Sequence, residues 1–142
     1  MTEKDRVQTL LSEGVEFAEM MLKEHGEFHP YGWAMNSKGE PISVAMDMGQ
    51  EFPVASEVIE ELFDTFREKG IVGEYIATAI FYDVRVFLPN SDIKSDAIAI
   101  ALDDVNGLSL VAFKPYKLED GELEFESIFA NKGEHRVFSK PS

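Results

Sequence analysis

Apolar residues recur along this chain with two periods. From about Asp5 to His25, Val7, Leu10, Leu11, Val15, Ala18, Met21 and Leu22 return every three or four positions. That spacing predicts one face of a helix. Phe17 lies beside the stripe and extends its edge. Gly14 interrupts it at a cost of about 1 kcal/mol against alanine, which suits close packing against another backbone. Gly26 follows as a C-cap. A second helix is predicted over about Ala55 to Lys69, with Val58, Ile59, Leu62, Phe63 and Phe66 on its apolar face. Its acids (Glu57, Glu60, Glu61, Asp64) come early and its bases (Arg67, Lys69) late, which complements the helix dipole. Ser56 is a candidate N-cap and Gly70 the expected stop.

Elsewhere the period is two. Tyr31 to Asn36 reads as a strand, Asn36 to Gly39 as a turn, and Glu40 to Met48 as the return strand, with Pro41 at an edge. The longest pair runs from Tyr75 to Asp103, two strands joined by the polar stretch after Phe87. In its first strand Ala77, Ala79 and Phe81 share a side opposite Ile76, Thr78, Ile80 and Tyr82. In its second, Ala97, Ala99 and Ala101 oppose Ile98, Ile100 and Leu102. Apolar character on both sides marks strands central to their sheet. The alanine side is narrow and invites a helix. The bulkier side needs cover from strand curl, a terminal segment or a second subunit.

Asn106-Gly107 and Asp120-Gly121 are hairpin turns, flanking a strand from Leu108 to Leu118 in which Pro115 marks an edge or bulge. Leu123 to Phe129 is the next strand, Asn131 to Gly133 a turn, and His135 to Phe138 a short last strand. The tail from Ser139 to Ser142 is expected to fray. The order α-β-β-α-β-β-β-β with short joins predicts a single α+β domain over residues 1–142. It is a largely antiparallel sheet of five to seven strands with two helices packed on one face.

Charge narrows the partners. Thirteen Lys and Arg against 27 Asp and Glu leave a formal net charge of -14. Nucleic-acid backbones and anionic membrane surfaces call for clustered bases, so neither is expected as a partner. There is no cysteine, which removes disulfides, thiolate catalysis and Cys metal sites. The first residues lack the apolar core of a signal peptide, and no run approaches transmembrane length, so a cytoplasmic location is expected.

Catalytic motifs offer little. Gly70 and Gly73 lack the spacing and the Lys-Ser of a P-loop, and no G-x-S-x-G elbow occurs. The reading leans away from an enzyme, and no cofactor is implied. His25 and His29 are four apart, but Gly26 and Pro30 end the helix that would align them as ligands. A metal site is therefore not expected.

The best polar cluster is Asp83, Arg85, Lys94 and Asp96, which become neighbours at the end of the central pair if the loop between them closes a hairpin. One reading is a small pocket in which Arg85 grips a carboxylate. The other is a cross-strand ion-pair network that fixes register. Acid–base work by Asp83 or Asp96 would need a shifted pKa. The aromatic run from Phe28 through His29, Tyr31 and Trp33 could line a protein-binding groove. The methionines read as fillers of irregular core gaps.

The segments G-E-F-H-P-Y-G, N-S-K-G-E, Y-D-V-R-V, K-S-D-A-I-A-I and I-F-A-N-K-G, with the P-Y pair, span Gly26 to Phe138. In these the chain resembles a group of small bacterial proteins with no assigned activity. The resemblance implies a bacterial origin and a single domain, and carries over no catalytic residue. The leading expectation is a non-enzymatic protein-interaction domain, an acidic inhibitor or immunity-type protein steering a basic partner. The alternative is a small-ligand-binding or sensor domain around Asp83, Arg85, Lys94 and Asp96. A homodimer is a further possibility, and would also cover the second apolar face.

Overall fold

The computed structural model describes residues 2–49, 51 and 53–138, and the tail from Ser139 to Ser142 lies outside them. Its elements are α1 (Glu3–His25), β1 (Tyr31–Asn36), β2 (Pro41–Val44), α2 (Ala55–Ile71), β3 (Tyr75–Phe87), β4 (Lys94–Asp104), β5 (Ser109–Glu119), β6 (Glu122–Phe125) and β7 (Phe129–Lys132). Every pairing is antiparallel, in the order β2-β1-β3-β4-β5-β6, with β7 also paired to β5. The fold is thus α+β, with seven strands and both helices packed on the sheet in the predicted order.

α1 starts at Glu3, two residues before the expected Asp5, because Thr2 caps it. The Thr2 hydroxyl accepts from the Asp5 N–H, and the Asp5 carboxylate accepts from the Thr2 N–H. Gly26, at φ 76°, closes its far end. The buried row of α1 is Arg6, Leu10, Gly14, Ala18 and Leu22, one residue every four. At Gly14 a Cβ would collide with the Phe81 ring, so glycine is what lets α1 lie this close to the sheet.

The two helices lie on opposite faces, not on one. α1 packs on Ala77, Ala79 and Phe81 of β3 and on Ile98, Ile100 and Leu102 of β4. α2 packs on Ala34, Ile80 and Ala101. The cause is register. Ala79 sits opposite Leu102 and Ile80 opposite Ala101, so the small side of one strand adjoins the large side of the other. Neither face is a pure alanine face, and each takes its own helix. α2 is helped by the terminal segment, whose Val137 and Phe138 enter the same cluster.

Three sequence expectations change for local reasons. Gly70 does not end α2. It leaves room for the Phe138 ring, and the helix runs one residue further before Gly73 turns left-handed at φ 79°. Ser56 does not cap α2: Val54 holds the N-cap position, without a side-chain cap bond. The strand expected over Glu40–Met48 pairs only to Val44, after which Met46 and Met48 leave the ladder to pack against the α2 cluster.

The expected strand from Leu123 to Phe129 splits into β6 and β7, which pair with successive parts of β5. Pro115 lies between those two pairings. Its carbonyl accepts from the Glu126 N–H, so its nitrogen faces the gap where no donor is needed. Asn131 and Lys132 belong to β7, not to a turn, and residues 135–138 form no strand because Val137 and Phe138 turn into the core.

Candidate functional site

The cross-strand register brings Arg85 directly opposite Asp96, and Phe87 opposite Lys94. The Arg85 guanidinium stands 3.4 Å from the Asp96 carboxylate, with more than half of each side chain open to water. Lys94 lies over the Phe87 ring, 5.1 Å from its centroid. Asp83 feels the Asp96 charge and accepts a 2.7 Å hydrogen bond from the hydroxyl of Tyr116, the residue opposite Asp96 on β5. Desolvation of its carboxylate raises the Asp83 pKa, against the lowering effect of that hydroxyl. The Tyr116 pKa rises in turn, through burial first and the bond to Asp83 second. Arg85, Lys94 and Asp96 line an open surface groove together with Tyr116, the hydrogen-bond partner of Asp83.

The aromatic run divides. Tyr31 is core: its ring stacks on Phe81 at 5.0 Å and its hydroxyl donates to the Gly14 carbonyl. His29 is exposed and Trp33 half-buried. Tyr31 and Trp33, with Phe17 and Val44, line a groove of about 270 Å³ between α1 and the edge strand β2. Phe17 touches Tyr31 edge-on at 4.8 Å yet keeps 42% of its surface exposed, and Met20, one turn on, keeps 46%. Glu13, Glu16 and Glu24 are exposed on the same helix, each four residues from Phe17 or Met20 and so beside it. His25 sits in the last turn of α1, as placed from sequence. Among the described residues no three His, Asp or Glu side chains converge as metal ligands.

Two further carboxylates were missed from sequence. Asp103 and Asp104 close β4, adjacent in the chain and therefore on opposite faces. Asp104 is fully buried on the α1 side, where Arg6 grips it with two 2.7 Å bonds from Nε and Nη2. The same bond holds the Arg6 pKa above its ordinary value. Asp103 is 5% exposed on the α2 side, opposite Thr78. It accepts from the Ser109 hydroxyl, and no ion pair reaches it among the described residues. Burial raises its pKa; Ser109, His135 and Arg136 pull the other way. Thr78 is buried too, and its hydroxyl finds no partner.

Asp103 lines a cleft of about 350 Å³ between α2, the sheet and the terminal segment. Ile59, Phe63, Leu110 and Val111 give it apolar walls, and Tyr82 and Ser109 add hydroxyls. Burial, then the Glu134 charge, raises the Tyr82 pKa. The segment that closes one side is tied down. Gly133 and His135 donate to the Ser109 carbonyl and hydroxyl. Arg136 donates to both Glu60 carboxylate oxygens from Nη1 and Nη2 and lies 4.0 Å over the Phe63 ring. A Cβ at Gly133 would strike Ser109 and the Leu110 backbone. The sequence signal for this site was the pair of acids ending the apolar run from Ala97 to Leu102.

No family model, curated protein or solved structure matches the chain. Chemistry is therefore read from the geometry of these places alone. No described helix is long and apolar enough to cross a membrane.

Proposed function

We propose that this chain is a protein-interaction domain, an inhibitor or immunity-type protein that engages a basic partner in the cytoplasm. The observation that carries the reading is the groove at Phe17 and Trp33. It combines the exposed aromatic surface of Phe17, which anchors interfaces, with the edge strand β2, which can accept an extended segment. Glu13 lies one helical turn from Phe17 on α1, and the net charge of -14 would steer a basic partner. The test is native mass spectrometry of protein isolated gently at low salt, with Phe17→Glu beside the wild type. A basic protein at fixed ratio with the wild type, absent from the variant, supports the reading. A wild-type dimer that Phe17→Glu dissociates would instead make a second copy the occupant. A monomer with neither would end it.

The cleft at Asp103 favours a second reading, a small-ligand-binding domain. A concave, mostly apolar space with a few convergent polar groups and shifted pKa values is where small ligands are commonly held. This site lies on the α2 face, away from the Asp83 to Asp96 cluster.

A further inference from the structure

We infer that the Asp103 cleft binds a primary alkylammonium group, with the ammonium on the Asp103 carboxylate and a short carbon chain against Phe63, Leu110 and Val111. This rests on the small-ligand reading and gives it a ligand class.

The charges argue for a cation. Asp103 is nine-tenths buried, and its one bonded partner is the neutral Ser109 hydroxyl. Among the described residues His135 and Arg136 act on it through their charge without forming an ion pair, and Arg136 is already committed to Glu60. At the mouth, exposed Lys132 and Glu134 offset one another. A buried carboxylate without a counter-charge is costly, and a bound cation that supplies hydrogen bonds relieves that cost.

The shape argues for a compact cation on a carbon chain. The Ser109 hydroxyl takes one acceptor position of Asp103, and the others open on a cleft with apolar walls. An ammonium is a compact donor of three bonds and suits it. Tyr82 lines the same space four positions along the strand pair from Thr78 and Asp103. The apolar walls then accept the carbon chain.

The experiment titrates three probes of one length, n-butylammonium, n-butanol and butyrate, into isotopically labelled protein followed by NMR. The expected result is saturable movement of the Ser109, Gly133 and His135 amides with butylammonium, at least about tenfold tighter than with butanol. The Asp103 side-chain carboxyl carbon should move with it, while that of Asp104, held by Arg6, should not. That readout uses wild-type protein and does not depend on any variant folding. Asp103→Asn should weaken butylammonium by about tenfold or more and leave butanol unchanged. Equal binding of all three probes, or preference for butyrate, would overturn the ammonium assignment and leave the small-ligand reading standing. No movement of these amides with any probe would overturn both.

Discussion

Arg6 and Asp104, 98 residues apart, form a bidentate pair buried beneath α1. The pair joins the first turn of the chain's first helix to the last residue of the central strand pair. Asp104 also accepts from the Asn106 N–H, so the carboxylate organises the turn that leads into β5. Removing one partner of a buried pair leaves an uncompensated charge, a loss of about 3–5 kcal/mol. Arg6→Met should therefore lower unfolding stability by about 3 kcal/mol. Arg6→Met with Asp104→Leu should recover much of it, since an apolar pair carries no stranded charge. Urea unfolding of the two variants checks this; equal losses in both would show that the charges are not what matters there.

Asp103 makes the opposite contribution. Burial raises its pKa above the ordinary 3.8, so the folded chain holds this proton more tightly than the unfolded chain. Where the folded state binds more protons, stability falls as pH rises. The loss therefore develops between 3.8 and the raised folded value, and persists above it. Asp103→Asn removes the titration and should make the protein as stable as the wild type or more so at neutral pH. The comparison is of urea midpoints for the two proteins from acid to neutral pH. A wild-type midpoint that rises more steeply than the variant's across that window would contradict it.

Arg85 and Asp96 face each other across β3 and β4 in open solvent. Exposed ion pairs are worth roughly 0–1 kcal/mol and are screened by salt. Arg85→Ala should cost no more than about 0.5 kcal/mol, and less at high salt. Guanidinium chloride is itself a salt, so urea is the denaturant to use. A loss above about 2 kcal/mol would mean that Arg85 has a role beyond this surface pair.

Phe138 seals the far end of the α2 face against Gly70. Deleting a buried phenyl ring costs about 3–5 kcal/mol in well-packed cores. Phe138→Ala should fall near the lower figure, because the terminal segment can partly collapse. It should also loosen residues 133–136, read as faster amide exchange at Gly133 and His135. Unchanged exchange would separate the terminal anchor from the cleft that it borders.

Local chemistry alone determined much of this protein. The period of the apolar residues placed both helices and the central strands. Gly26 and the Asp120-Gly121 turn followed from residues that accept positive φ. Such features depend on neighbours within a few positions, so they are written where they occur. Tertiary structure decided which side of the sheet each helix covers, because the pairing of Ala79 with Leu102 is a long-range register. It likewise decided that two adjacent acids would part, Asp104 to Arg6 and Asp103 to the cleft. Alternation along a strand dictates only that neighbours point apart. What each then meets depends on the layers packed above and below, and those come from residues about a hundred positions away in one case and about thirty in the other.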